Sequence, residues 1–329
     1  MHSHDCQFGL SDVLWSVCPP VFLLVLGAMT LHVAAGIGLL PAPRPTLDMD
    51  RTILFHQAHA SQSRHSADLV LLGDSSCLMD VSARQLGREL GRETLNLGTF
   101  SYLDLAAHGW LLQQFNAANP GRLRTVLLLM HPEALRRQEA SSYHIGLLRS
   151  FLGAPDLELP GEGNPRLLDR VLGLELVRSR GLGRLLPWPL PKEHGAFYGF
   201  TDDLARYLDS HQGSAVDPNR FDPQSVRGSA EYRLARKWEA ASRGFRAVLP
   251  KSVRLIVGIT PAPASFVLPE HAVTCRRMLS EWGGWLEADA VLLNMPFVLP
   301  DDLFASVTHL NAAGAERFTE LLAEQLNHP

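Results

Sequence analysis

The stretch LVLLGDSS, Leu69 to Ser76, decides how this chain is read. Four consecutive apolar residues without polar alternation suit a parallel strand buried on both faces. The run stops at Gly73, and Asp74, Ser75 and Ser76 follow, residue types that open helices by capping their first N–H groups. A buried strand turning into a helix is the first unit of an open α/β sheet. Such sheets hold ligands outside the carboxyl ends of their strands, so Ser75 and Ser76 stand where chemistry is expected.

The pattern repeats outward from there. Val81 to Gly91 has helical spacing, and Glu93 to Leu97 reads as a second strand. A helix is expected over Leu103 to Asn116, then a third strand over Arg124 to Met130 (RTVLLLM), ended by His131-Pro132-Glu133. This βαβαβ order predicts a right-handed, doubly wound parallel sheet, a flavodoxin-like three-layer α/β/α domain. Further on, Glu231 to Leu249 restores helical periodicity, Ser252 to Ile259 is a clear strand, and Ala288 to Leu293 reads as a last short one. Between about 138 and 230 the chain changes character. Pro and Gly cluster at LGAPDLELPGEGNP and LLPWPLPKEHGAFYGF, with short apolar helices such as Leu167 to Val177 between. This reads as an insertion covering one end of the sheet, where substrate-shaping loops sit. The domain is therefore expected over residues 68–329, with a linker at 41–67, stiff and Pro-rich over Pro41 to Asp48 and with room for a short helix leading to the sheet over 49–67.

Near the other end, THLNAAGAERF (Thr308 to Phe318) places His309 just before a helix-like stretch that Asn311 opens. A serine after the first strand and a histidine entering the last helix can meet at one edge of the sheet. A serine hydroxyl is a weak nucleophile until a base takes its proton, and an imidazole is that base. The bland reading of Ser75 is a helix cap, which suits Ser76 equally, and that of His309 is a helix-entry residue.

Both segments resemble the SGNH (GDSL-type) hydrolase and acyltransferase superfamily, in Gly73-Asp74-Ser75 and in His309-Leu310-Asn311. The resemblance covers residues 68–130 and 253–326. It implies Ser75 as nucleophile, His309 as general base, and Asp74 as a loop-shaping or capping residue. The family's orienting Asp lies three residues before the His, where this chain has Ser306. Asp301 or Asp302 is then expected to reach the imidazole, or Ser306 or a backbone carbonyl to orient it. The family's oxyanion blocks also match only partly: Asn96 leads to Gly98, with Ser101 at the aligned position. The third block offers His131 where an Asn is usual; ionised Glu133 has no proton to donate.

From Pro19 to Leu40 the chain has no charged residue, long enough for a bilayer helix of about 20 residues. A membrane anchor is expected over 19–40, after a tail of residues 1–18 that lacks the basic start of a signal peptide. The alternative is a buried core helix. Arg44 and Arg51 follow the span, which by the positive-inside rule draws the C-terminal part to the cytoplasm. The resemblance draws it the other way, since anchored bacterial relatives hold the catalytic domain in the periplasm, attached to the inner membrane, and that is the expectation taken.

Composition excludes several classes. The net charge is −4 with dispersed basic residues, so no nucleic-acid stripe exists. The four cysteines, Cys6, Cys18, Cys77 and Cys275, show no metal or redox spacing, and the last two read as buried thiols. No metal or cofactor is expected. Trp110 and Trp238 read as core, while Trp188, Tyr198 and Phe200 in the insertion are candidate sugar-stacking aromatics. The expected function is a Ser-His O-acyltransferase or esterase acting on acyl groups of an extracytoplasmic polysaccharide, resembling exopolysaccharide (alginate-type) O-acetylation proteins that work beside a multi-pass membrane acyltransferase. The competing expectation is an inactive glycan-binding or scaffold subunit of a polysaccharide export complex.

Overall fold

A computed structural model describes residues 18–30, 49–136, 140–153, 204–225 and 232–327. The chain divides into two compact units, Met1–Thr46 with Pro160–Leu190, and Leu47–Leu159 with Pro191–Pro329. Within the first, residues 18–30 form helix α1, whose Phe22 and Leu24 are exposed. Among the described residues no helix is long and apolar enough to cross a membrane. Residues 31–40 of the expected span lie outside the described residues, as do the 167–177 helix and Trp188, Tyr198 and Phe200.

The second unit is an α/β domain built on five parallel strands. These are β1 (Leu69–Gly73), β2 (Thr94–Asn96), β3 (Thr125–Met130), β4 (Arg254–Ile259) and, past a short β5 (Ala262–Pro263), β6 (Ala290–Val291). Their order is β2-β1-β3-β4-β6, every pairing parallel. β5 pairs separately with β7 (Val298–Leu299) beyond the end of β4. The chain steps to one side of β1 for β2 and to the other for β3, so a crevice opens at the carboxyl end of β1.

Strand periodicity divides the core in two. Val70 and Leu72, Val126, Leu128 and Met130, and Leu255, Val257 and Ile259 face one side of the sheet. Helices α2 (Met49–Gln62), α5 (Leu105–Ala118) and, after the short α6 (Pro132–Arg136), α7 (Ser142–Leu152) cover that side, with α9 (Lys237–Val248) and α10 (His271–Trp285). Leu69, Leu71, Leu127, Leu129 and Ile256 face the other, under α4 (Ala83–Leu90) and the C-terminal α11 (Ala312–Asn327). The unbroken apolar runs of β1 and β3 are thus what a sheet buried on both faces requires. Trp110, Trp238, Cys77 and Cys275 are all buried, the two cysteines as free thiols.

Sequence capping sets the helix ends near the site. Asp74 caps α3 (Ser75–Asp80), accepting the Ser76 N–H; Ser82 caps α4 on the Gln85 N–H, and Gly91 closes α4 in the left-handed region. Two expectations need correction. Within the linker expected at 41–67, the short helix allowed for at 49–67 forms as α2 and belongs to the core: it buries Ile53, Leu54 and Gln57, and Gln57 donates to the carbonyls of Gly98 and Gly213. Parts of the expected insertion at 138–230 are also integral to the domain, since α7 packs on α2 and α8 (Leu204–Ser210) buries Leu204 and Leu208. Apolar spacing at 49–67 was masked by the interspersed polar residues, of which Gln57 and Ser61 are fully buried and hydrogen-bonded.

One core residue has a pH consequence. His108, on α5, is fully buried with neither ring nitrogen hydrogen-bonded, and burial lowers its pKa to about 4. The unfolded imidazole takes up a proton below its ordinary 6.5 while the folded one stays neutral down to about 4. Stability from this group is therefore complete above that range and falls as pH drops through it. His108→Leu removes both orphan nitrogens, and its advantage over the native chain should grow by about 3 kcal/mol between pH 7 and pH 4. Urea unfolding at the two pH values measures this; an equal gain at both would mean the folded imidazole titrates normally.

Candidate active site

Gly73 ends β1 in a conformation only glycine adopts readily (φ +152°), pressed against β3. Asp74 then ties the strand ends together. Its Oδ1 accepts the Ser76 N–H (3.1 Å) and hydroxyl (2.6 Å), and its Oδ2 accepts the His131 N–H (3.1 Å) beyond β3. The Ser76 hydroxyl in turn accepts from Thr260 past β4 (2.8 Å). Burial pushes the Asp74 carboxyl above its usual range, against the pull of these hydrogen bonds. Ser76 is therefore a structural hydroxyl, and Ser75 is the one left to face the crevice.

The Ser75 Oγ lies 2.9 Å from Nε2 of His309. On the far side of the ring, Nδ1 is 3.2 Å from Oδ2 of Asp217. An ionised carboxylate only accepts, so Nδ1 carries the proton and the Nε2 lone pair faces the serine hydroxyl. His309 and Asp217 are buried, at 4% and 1% exposure. This is the arrangement of a nucleophile, a general base and an orienting acid.

Sequence reasoning missed Asp217 because it lies in VDPNRF, inside the stretch read as an insertion, with no spacing relation to His309. Tertiary contacts deliver it. After α8 the chain turns through Gln212 (φ +56°) and Gly213 (φ +83°). There the Asn96 N–H donates to the Gln212 carbonyl and the Ala215 N–H to Leu78. The Ser214 hydroxyl donates to the Val81 carbonyl and accepts the Ala83 N–H and the Asn96 amide. The segment is thus laced along β2 and α3 and ends with Asp217 under the imidazole. Asn219 fixes the carboxylate by donating twice to Oδ1.

The orienting residues expected near His309 do other work. Ser306 accepts the Thr308 and His309 N–H groups through its hydroxyl, closing the turn that presents the ring. Asp301 accepts the Ser265 N–H, and Asp302 is exposed. Asn311 caps α11 through the Gly314 N–H, as its place in the sequence implied. Asp80, fully buried, accepts the Leu310 N–H at 2.8 Å and so braces the residue next to His309. Burial first, then the charges of Asp74 and Asp217, push the Asp80 carboxyl well above its usual range.

The expected oxyanion donors separate in the same way. Asn96 is buried, its side-chain amide donating to the Cys77 carbonyl and its side-chain oxygen Oδ1 accepting the Gly98 N–H. Both residues are therefore occupied in shaping the loop. Ser101 and His131 instead line a cavity of about 110 Å3 together with Ser75, Tyr102, Glu133 and His309. His131 is 2% exposed, and burial pushes its pKa down to about 3. Its Nδ1 accepts the Glu133 N–H, so the single ring proton is on Nε2, which has no partner. An unpaired buried donor is unfavourable in the resting protein, and this ring lines the cavity that also holds Ser75. Larger clefts of about 270 and 420 Å3 lie near residues such as His65, Glu93 and Arg122, and neither contains Ser75 or His309.

Among the described residues no cluster of His, Cys, Asp and Glu could hold a metal ion. No family model matches the chain, and neither a curated protein nor a solved structure matches it.

Proposed function

We propose that this chain is an SGNH-like serine O-acyltransferase or esterase that acts on acyl groups of an extracytoplasmic polysaccharide. The observation that carries the reading is the Ser75–His309–Asp217 chain of hydrogen bonds at the carboxyl end of β1. In the reaction, His309 Nε2 takes the Ser75 proton as Oγ attacks the acyl carbonyl, and Asp217 stabilises the resulting imidazolium. The donor alkoxide leaves with that proton, giving acyl-Ser75. An acceptor hydroxyl, from sugar or water, then passes its proton to His309 and takes the acyl group. The N-terminal apolar run at 19–40 serves as an inner-membrane anchor with the domain in the periplasm, beside a multi-pass acyltransferase partner. A scaffold role would leave no reason to hold Ser75 and His309 in register.

The test is direct. The chain incubated with p-nitrophenyl acetate should release a burst of nitrophenol equal to the enzyme, and peptide mass spectrometry should find the acetyl group on Ser75. No burst and no acetyl-Ser75 would favour the scaffold reading.

His131 supplies the oxyanion donor in this scheme. Removing one such donor lowers turnover by roughly 10² to 10³ in serine hydrolases. His131→Leu should therefore cut kcat for small acetyl esters by about 10², with KM little changed. Steady-state kinetics on the folded variant decides it; an unaltered kcat would assign the ring to packing alone.

A further inference from the structure

We propose that Tyr102, at the mouth of the catalytic cavity, is the platform on which a pyranose ring of the acyl acceptor stacks; this rests on the acyl-transfer reading above. Tyr102 lines the same cavity as Ser75 and His309 yet is 41% exposed, so it lies where the cavity meets solvent. The cavity itself, at about 110 Å3, has room for a short acyl group and not for a sugar ring as well. An acceptor sugar must therefore wait outside it, against whatever forms the rim.

That rim has the chemistry of a sugar site. The Tyr102 ring stacks on His144 (centroids 4.9 Å apart, planes at 21°), and exposed Tyr143 meets the same imidazole edge-on at 5.1 Å. His144 is held on both nitrogens, by the Ser141 hydroxyl at 2.8 Å and by Asp50 at 3.0 Å. The Ser141 N–H also donates to the Tyr102 carbonyl at 2.8 Å, fixing the loop that carries the ring. A clamped aromatic loses little freedom when a ligand covers it. The C–H face of a pyranose stacks on such a ring, while Ser101 and Glu133 in the cavity wall offer partners for its hydroxyls. A water acceptor needs none of these features.

In the transfer step the sugar hydroxyl gives its proton to His309 Nε2 and its oxygen bonds the acyl carbon. The bond from that carbon to Ser75 Oγ breaks, and the proton returns to Ser75. The full-length chain in detergent, acetylated by p-nitrophenyl acetate, would be offered methyl β-glucopyranoside and glycerol at equal hydroxyl concentration. Product analysis gives the partition of acetyl among sugar, glycerol and water. The native chain should favour the pyranoside over glycerol. Tyr102→Ala should lower the ratio of sugar transfer to hydrolysis by roughly three- to tenfold, chiefly through a higher half-saturating sugar concentration, as expected for loss of one stacking contact. Tyr102→Phe and Tyr102→Trp should keep the ratio, which a loss of fold or of a hydroxyl contact would not allow. An unchanged partition in Tyr102→Ala, an equal loss in Tyr102→Phe, or no pyranoside preference in a chain that does form acetyl-Ser75 would overturn the platform. Failure to form acetyl-Ser75 at all would instead overturn the acyl-transfer reading, and the platform with it.

Discussion

Asp217→Asn should lower ester turnover by about 10⁴ while the protein stays folded, the penalty seen when the orienting acid of a serine protease is replaced by its amide. The amide can present an N–H to Nδ1, which favours the tautomer with the proton on Nε2. That proton then faces Ser75, and the base is lost. The Asp217 carboxylate also stabilises the imidazolium that forms during attack, and the amide cannot. Ser75→Ala should abolish acyl-enzyme formation outright. Ser306→Asp should bring no gain in the native background, because the site beyond Nδ1 is already filled by Asp217 at 3.2 Å, and Ser306 is engaged with the Thr308 and His309 N–H groups. Burst kinetics with p-nitrophenyl acetate on the four proteins would show this. Near-native turnover in Asp217→Asn would mean that Asp217 is a structural partner of a dyad rather than part of the catalytic machinery.

Gly73→Ala should prevent accumulation of folded protein. An added Cβ would lie 1.7 Å from the Leu129 carbonyl oxygen and 2.7 Å from the Cys77 side chain. Neither neighbour can yield: Leu129 is held in β3 in register with Gly73, and Cys77 is fully buried in α3. The φ of +152° adds backbone strain for any residue with a side chain. The combined cost should exceed about 4 kcal/mol, a large part of a typical domain's stability. Gly91→Ala is the control, since it shares a positive φ (+62°) but meets nothing within 4 Å. It should cost only about 1 kcal/mol. Soluble yield and thermal unfolding compare the two; a folded Gly73→Ala protein with native-like melting would show that β1 and β3 can separate at this end.

The Gly-Asp-Ser turn illustrates what local sequence can carry. A run of apolar residues has to be buried on both faces, and β1 and β3 were legible for that reason, as was β4. Asp74 and Asn311 were legible as helix openers, because capping is a contact between residues two or three apart. Ser75 and His309 were legible as a pair through their places at a strand end and a helix entry, positions the topology brings to one edge. The burial of α2 was not, because its buried polar residues are satisfied by partners far along the chain, such as Gln57 with Gly98 and Gly213. The uses of Asn96 and Gly98 were not either, since a donor aligned with a motif reads the same whether it faces a substrate or a loop.

Sequence by itself determined the class of sheet and the two residues that meet at its edge, because periodicity and capping are short-range; the strand order came from the structure. Only the tertiary structure decided the third. Asp217 reaches His309 across 92 positions through backbone pairing of 212–215 with β2 and α3, and no local preference encodes that reach. The tautomer of His131 was decided the same way. It follows from which nitrogen the Glu133 N–H finds and from a burial that keeps the ring neutral, both properties of the packed core rather than of the residue.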